Sequence, residues 1–259
     1  LVTDYDGGEV FSVDLKNGNR SIISSPDPQS LDALKKASGI TINANKAYIS
    51  DPESNSIISL DLFTGVTQKI SNEFTGTGSN LNKPSGLIFH NGKLLVNNSG
   101  DGSLLSIEVE TGNRSVVSSN VVGSGPNLIS PNDIVLGNDK QAFISDSGAG
   151  TIFSVNLEDG TRTPMIENDP TDQSKFYLHN PHGLEINKEK DTLYVVIYQR
   201  VYSIDIATGN ETLLFSNYAD PETFTPNSFI KFRDPKGIIY DEDNHRFFVS
   251  DNVNNGVFI

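Results

Sequence analysis

Short runs of alternating apolar and polar residues recur along the whole chain, separated by turn residues. The clearest copy is the stretch 131–162, PNDIVLGNDKQAFISDSGAGTIFSVNLEDGTR. It contains runs at Asp133–Leu136, Gln141–Ser145 and Ile152–Leu157, with Gly, Asn and Asp in the breaks between them. A period of two residues interrupted by such turns is typical of strands joined by hairpins. Since Asp159 and Gly160 lead into a further run, the stretch predicts a four-stranded antiparallel meander.

The third strand of this meander returns along the sequence and marks six copies. The marker segments are EVFSVDL (9–15), SIISLDL (56–62), LLSIEV (104–109), IFSVNL (152–157), VYSIDI (201–206) and GVFI (256–259). Each of the first five is followed by a turn pair that ends in glycine, which can adopt the positive φ of a tight hairpin. Six copies of about 45 residues predict an all-β protein, a six-bladed β-propeller of four-stranded antiparallel blades. No linker interrupts the repeat, so we expect one domain over residues 1–259.

The first strand of each copy opens with a small or polar residue, usually followed by glycine. The five opening residues are Ser38, Ser85, Asn132, His182 and Lys236. First strands are innermost in a propeller, so we expect these five side chains to converge at one mouth of the central channel. The sequence therefore predicts a small polar site there.

Repetition also separates structural positions from functional ones. An Asp or Asn ends the second strand in five copies, at Asp4, Asp51, Asn98, Asp146 and Asp251. A residue that recurs in this way serves the blade, and we expect these side chains to accept backbone N–H groups of the following turn or the next blade. The opening position differs between copies, which is typical of a position that serves a site.

The opening residues suggest several kinds of chemistry. His182 is a candidate general base or ligand, with a neutral, hydrogen-bonded histidine as the equal alternative. Asn132 offers a carbonyl oxygen that Ca²⁺ accepts, although an amide in a turn is the more common role. Lys236 is suited to holding an anionic substrate or stabilising an oxyanion, or it points to solvent. Ser38 and Ser85 complete the set as candidate substrate-binding residues.

Composition narrows the choice of partners. The net charge of −14 and the pI near 4.6 argue against nucleic acid or anionic lipid, which like charge would repel. The absence of cysteine removes disulfides, thiolate catalysis and cysteine-based metal sites. No run of 18 apolar residues is present. The expected partner is a small-molecule substrate or ligand, without nucleic acid or membrane, and a secreted or periplasmic location is slightly favoured over a cytoplasmic one.

Three segments lie outside the repeat. Pro26–Ala37 predicts a helical turn with Leu31 and Leu34 on one side. Glu167–Asn180 and Tyr218–Asp234 are polar crossing loops that carry aromatic residues. Long loops of this kind often cover or line a site, and packing over a blade edge is the alternative.

Several short sequence segments resemble those of a known group of propellers. They are Pro131-Asn132-Asp133, Asn180-Pro181-His182-Gly183, and the segments YISD, FISD and FVSD that precede hairpins. The chain resembles the six-bladed SMP-30/gluconolactonase and paraoxonase group and, more distantly, NHL and YWTD repeats.

The resemblance implies Ca²⁺ at the channel mouth, held by Glu, Asn and Asp side chains and polarising a lactone carbonyl and the attacking water. Asn132 matches the Asn of that group and His182 matches its paraoxonase-like histidine. The other openings carry no Asp or Glu, and Lys236 would repel a cation. The leading hypothesis is a metal-dependent lactone or ester hydrolase. The alternative is a non-catalytic propeller that binds a protein, peptide or carbohydrate through its loops.

Overall fold

The computed structural model describes residues 1–27, 29–166, 180–216 and 232–259. Within these ranges the regular structure is almost entirely β, and a short 3-10 turn at Glu242–Asn244 is the one helical element. The strands form six antiparallel sheets, and strands adjacent in sequence are adjacent in each sheet. The chain divides into two compact units, Leu1–Asn127 and Leu128–Ile259, with three sheets in each.

Each unit holds one three-stranded and two four-stranded sheets. The strands of the first unit are β1 (Val2–Asp4), β2 (Glu9–Val13), β3 (Arg20–Ser24); β4 (Ile40–Asn43), β5 (Lys46–Asp51), β6 (Ser56–Asp61), β7 (Thr67–Ser71); and β8 (Pro84–His90), β9 (Lys93–Asn98), β10 (Ser103–Glu108), β11 (Arg114–Ser118). Those of the second are β12 (Pro131–Asn138), β13 (Gln141–Asp146), β14 (Thr151–Asn156), β15 (Arg162–Pro164); β16 (Pro181–Ile186), β17 (Thr192–Ile197), β18 (Arg200–Asp205), β19 (Glu211–Ser216); and β20 (Pro235–Asp241), β21 (Arg246–Asp251), β22 (Gly256–Phe258).

The turns after the third strands have the backbone conformation that their glycines predict. All five glycines adopt φ between 72° and 75°, a region that is strained for other residues. They are Gly18, Gly65, Gly112, Gly160 and Gly209. The predicted hairpins and the six third strands are therefore confirmed.

The apolar core lies between neighbouring sheets within each unit. One cluster joins Val10 of the first sheet to Ile49 and Ile58 of the second. Another joins Phe143 of the fourth sheet to Leu184 of the fifth. A sheet in this position is covered on both faces, which explains why every residue of β5 after Lys46 is buried.

The segment Pro26–Ala37 is a correction to the sequence analysis, because its described residues form turns and bends and no helix. Leu34 is 2% exposed and packs in the core beside Val10, whereas Leu31 is 88% exposed. The two leucines therefore do not share a face. Lys35 N–H donates to Asp51 at 2.7 Å, which ties the segment to the end of β5 in place of a helical hydrogen bond.

The predicted fold class is confirmed: the protein is all-β, and its six antiparallel sheets are the blades of a six-bladed β-propeller. The single domain over 1–259 stays a prediction. In the part of the chain that is described, no helix combines the length and hydrophobicity needed to cross a lipid bilayer.

Candidate functional site

Hydroxyl groups of the second strands fix the openings of the first strands that follow. Each donates a hydrogen bond to the main-chain carbonyl oxygen of an opening residue in the next sheet. The links are Thr3 Oγ1 to Ser38 at 2.8 Å, Ser50 Oγ to Ser85 at 2.5 Å, and Ser145 Oγ to His182. Because these bonds hold only the main chain, the opening side chain can differ from sheet to sheet.

Neighbouring first strands approach each other closely. A Cβ atom at Gly183 would lie 2.5 Å from the carbonyl oxygen of Lys236 and 2.8 Å from Cα of Gly237. No side chain fits into that space. The close approach of β16 and β20 places His182 beside Lys236, and each of these residues immediately precedes one of the two glycines.

His182 and Lys236 are in direct contact. The Lys236 Nζ lies 3.0 Å from His182 Nε2 and 2.8 Å from Oδ1 of Asp234. An ammonium group can only donate, so Nε2 accepts, and the neutral ring carries its proton on Nδ1. The openings of β16 and β20 thus combine a cation, its counter-ion and an imidazole.

Local burial and charge set the protonation of this cluster. Burial, followed by the positive charge of Lys236, lowers the pKa of His182 to about 4, while Asp234 acts in the opposite direction. Burial alone would raise the pKa of Asp234, but its hydrogen bond to Lys236 and the charge of that lysine lower it overall. At neutral pH the imidazole is therefore neutral and Asp234 is ionised.

Asn132 lies on the preceding first strand and contacts the residue before His182. Its Nδ2 donates to the carbonyl oxygen of Pro181 at 2.9 Å. Among the described residues no donor is recorded for its Oδ1. The structure therefore brings Asn132 next to the β16 opening with an acceptor atom available to a ligand.

Two partly buried carboxyl groups on the same first strands were missed by the sequence analysis. Asp133 accepts the N–H groups of Ile134 and Leu184 at 2.9 Å each, and Glu185 accepts that of Ile186 at 2.9 Å. Burial raises the pKa of Asp133 to about 6 and, with the charge of Asp133 as a lesser cause, that of Glu185 to about 7. Carboxyl groups that titrate this close to neutrality are candidates for proton transfer.

Part of the role of these acids is structural. A first strand is an edge strand, and its outward N–H groups need partners. In the first unit a neutral hydroxyl performs this task, since Thr41 Oγ1 accepts the N–H of Phe89 at 3.4 Å. Glu185 stands at the same position of the repeat and interacts with the backbone of Tyr240. The fold therefore does not require a carboxylate at this position. The presence of Asp133 and Glu185 thus indicates a function beyond the fold.

Comparison of the copies could have found both acids. Asp133 replaces the glycine that follows the opening residue in the other four copies. Glu185 is a charged residue at a position that holds Thr, Ile or Val elsewhere. The sequence analysis compared only the opening residues, so neither departure was detected.

The openings of the first unit are smaller and uncharged. Ser38 lies just before β4, and the Oγ atoms of Ser85 and Ser99 are 2.7 Å apart. On β9, Asn97 is fully buried, and neither atom of its amide has a hydrogen-bond partner among the described residues. Within the second unit Asn132, His182 and Lys236 lie on adjacent first strands, while the convergence of all five openings stays a prediction.

The acids that end the second strands are structural, as predicted. Asp146 accepts the N–H of Ala149 in the following turn at 2.9 Å. It also accepts the N–H groups of Ile129 at 2.7 Å and Ser130 at 2.9 Å, in the segment that leads into β12. The second partner is therefore the lead-in of the same sheet, and of the two partners expected for this position the following turn is confirmed.

A calcium ion at Asn132 would need further oxygen ligands. Calcium takes about six to eight oxygen ligands. No group of three or more His, Cys, Asp or Glu side chains in the described ranges is placed to hold a metal ion. The calcium expectation stays a prediction, and no step of the chemistry proposed below uses a metal.

The crossing loops contribute one described aromatic residue. Phe232 is buried in the core with Val201 and Ile238, so it packs within the fold. The interpretation that the other aromatic residues of the two crossing loops cover or line a site lies outside the described residues.

Comparison with known proteins shows the fold. No family model matches the chain, and no curated protein matches it. An auxiliary nutrient binding protein from Bacteroides thetaiotaomicron is similar over 98% of this chain and 68% of its own, with a TM-score of 0.68 and 16% identity. A chain of a nidogen/laminin complex has a TM-score of 0.68 and 13% identity, over 98% of this chain and 90% of its own.

A catalytically inactive histidine-to-alanine variant of virginiamycin B lyase from Staphylococcus aureus, solved with quinupristin, is also similar. Its TM-score is 0.62 and its identity 17%, over 98% of this chain and 74% of its own. These proteins include binding proteins and an enzyme. At identities this low the likeness shows the shared fold alone.

Proposed function

We propose that the first-strand openings of the second unit bind a small molecule through a carbonyl group and that the protein hydrolyses a lactone or ester there. This is the activity expected of a relative of the SMP-30/gluconolactonase group. The observation that carries the proposal is the 3.0 Å contact between Lys236 Nζ and His182 Nε2. This contact places the positively charged hydrogen-bond donor at the opening of β20 against the neutral imidazole at the opening of β16.

The contact suggests how the residues would share the reaction. When the carbonyl oxygen of a substrate replaces His182 as acceptor of the Lys236 N–H, Nε2 is released. Nε2 then takes a proton from water while the water oxygen attacks the carbonyl carbon. Lys236 stabilises the oxyanion that forms, and the proton on Nε2 passes to the leaving alkoxide as the acyl–oxygen bond breaks. The Oδ1 atom of Asn132 accepts a substrate hydroxyl group.

The structural relatives give limited support. In the similar virginiamycin B lyase, replacement of one histidine by alanine removes catalysis. We propose a comparable dependence on His182 in this chain.

The proposal is tested with a panel of lactones and aryl esters. We expect turnover by the wild-type protein, and a fall of about 100-fold or more in kcat/KM for His182→Ala, because general acid–base catalysis contributes about 10²–10⁴-fold. Asn132→Ala should mainly raise KM. His245→Ala is the matched control, since His245 lies at the other end of β20, after the 3-10 turn. Calorimetry with Ca²⁺ tests the metal expectation separately.

If His182→Ala hydrolyses the substrates as fast as the wild-type protein does, the proposed mechanism is wrong. Binding of substrates without turnover would favour the alternative, a non-catalytic propeller that holds a ligand, as the nutrient binding protein does by its description. The pairing of Lys236 with Asp234 at 2.8 Å favours that alternative, because it already neutralises the cation.

A further inference from the structure

A cleft lies in the first unit, away from the strand openings. It has a volume of about 230 Å³ and lies between the second sheet and the turn that joins β10 to β11. Tyr48, Ser59 and Gln68 form one side, and they are direct cross-strand partners in β5, β6 and β7. Glu110 and Thr111 face them from the turn. The cleft is smaller than the pockets of drug-sized ligands, which hold about 300 Å³ or more.

Tyr48 supplies one of the polar groups of this cleft. Tyr48 is 4% exposed, and its ring stacks on that of Phe89 with centroids 5.9 Å apart. Its hydroxyl has no hydrogen-bond partner among the described residues. The hydroxyl itself is open to the cleft, where it can donate a hydrogen bond to a ligand or accept one from it.

Three charged residues line the same cleft: Lys46, Lys69 and Glu110. The ammonium of Lys69 donates to the carbonyl oxygen of Leu31 at 2.5 Å, and Leu31 is not part of the lining. Lys46 and Glu110 both contribute to the lining, and neither forms an ion pair within 4 Å among the described residues. The negative charge of Glu110 acts on Tyr48, where burial and then this charge raise the pKa of the phenol. Ile70 and Val109 add apolar surface.

In the second unit, the corresponding tyrosine has aromatic rings where Tyr48 has the cleft. Tyr194 occupies the same position of the repeat as Tyr48. It packs against the rings of Tyr240 and Phe247, with centroid distances of 4.9 and 4.8 Å. Tyr48 has one aromatic neighbour and the cleft in place of the second. The cleft beside Tyr48 therefore has no counterpart beside Tyr194, where aromatic rings take its place.

We infer that this cleft binds a small zwitterion, a free α-amino acid. The ammonium of Lys46 would face the ligand carboxylate and the carboxylate of Glu110 would face its ammonium. The hydroxyl of Tyr48 would complete the hydrogen bonds, and Ile70 and Val109 would contact an aliphatic side chain. A neutral sugar would make no use of the two charges, and a dianion would place a negative charge beside Glu110.

The test is isothermal titration calorimetry of the whole chain with single amino acids, and with glucose and citrate as neutral and anionic probes. We expect at least one amino acid to bind with Kd of about 1 mM or tighter. Tyr48→Phe should weaken it about three- to tenfold, and Glu110→Gln or Lys46→Gln about tenfold or more. Tyr48→Phe keeps the ring and its stacking, so the fold is preserved.

Glu158→Gln is the matched control, because Glu158 occupies the equivalent turn of the fourth sheet and pairs with Lys140 at 2.7 Å. It should leave binding unchanged. The inference is overturned if no amino acid binds at about 10 mM, if glucose or citrate binds in preference, or if Tyr48→Phe and Glu110→Gln both bind like the wild type. None of these results bears on the hydrolysis proposed for the second unit.

Discussion

Three ionisable residues on adjacent first strands have pKa values shifted in opposite directions. Burial raises those of Asp133 and Glu185 to about 6 and about 7, and lowers that of His182 to about 4. Each group is therefore less charged near neutral pH than it would be in the unfolded chain. A shift of this kind is a statement about stability as well as about chemistry.

The two acids give a prediction for the pH dependence of unfolding. Their folded pKa values lie above the unfolded ones, so their contribution to stability is fully present below about pH 4 and is lost as the pH rises through 6 and 7. In a His182→Gln background, the variant Asp133→Asn/Glu185→Gln should remove this loss and narrow the difference in unfolding free energy between pH 5 and pH 8 by on the order of 4 kcal/mol. Urea unfolding at both pH values measures it.

His182 must be controlled in that experiment because its sign is opposite. Its folded pKa is depressed, so its contribution is lost as the pH falls from about 6.5 through about 4. The same two acid substitutions should therefore be compared in a His182→Gln background. A pH profile that does not change when both acids are replaced would contradict the assigned pKa values.

At the scale of strands and turns, the repeat predicted most of what the structure shows. Hairpin glycines and period-two alternation depend on local backbone geometry, so they can be read one copy at a time. The environment of Leu34 could not be read in this way, because it is buried by contact with Val10 of a different sheet. The partner of Asp133 could not be read from one copy either, because the N–H that it accepts belongs to Leu184, about fifty residues away in sequence.

The contact between first strands gives a prediction at this scale. Gly183→Ala should destabilise the protein by about 1–3 kcal/mol and separate His182 from Lys236, because the new Cβ would meet main-chain atoms of β20 at 2.5 and 2.8 Å. Gly237→Ala is the matched control, since its Cβ would meet only the rotatable Oγ of Ser250 at 2.9 Å.

Thermal unfolding and kcat/KM of both glycine variants check this prediction. Gly183→Ala should lose more of each than Gly237→Ala does. Equal effects of the two substitutions would show that the close approach of β16 and β20 does not control the site.

Taken as a whole, the molecule combines a fold that serves many functions with a strongly acidic composition. Its structural relatives are described as a nutrient binding protein, part of a nidogen/laminin complex and a lyase, so the fold alone does not select an activity. The net charge of −14 does restrict the partners, because charge acts over the whole surface.

The charge predicts that the protein does not bind nucleic acid or anionic membranes. At physiological salt we expect no shift of duplex DNA in a mobility assay and no sedimentation with phosphatidylserine vesicles. Neutral phosphatidylcholine vesicles serve as the control for non-electrostatic adsorption. Binding to DNA or to phosphatidylserine that weakens steeply as salt is added would contradict the prediction.

The hydroxyl of Ser145 donates a hydrogen bond to the carbonyl oxygen of His182, and this bond does not restrain the imidazole. The main-chain oxygen of His182 thus belongs to the hydrogen bonding of the fold, while its side chain is left for the chemistry of the site. A substitution at such a position can exchange one reactive side chain for another while the main-chain hydrogen bond is kept. A chain built in this manner is suited to acquiring new substrates by single substitutions, without first having to recover its stability.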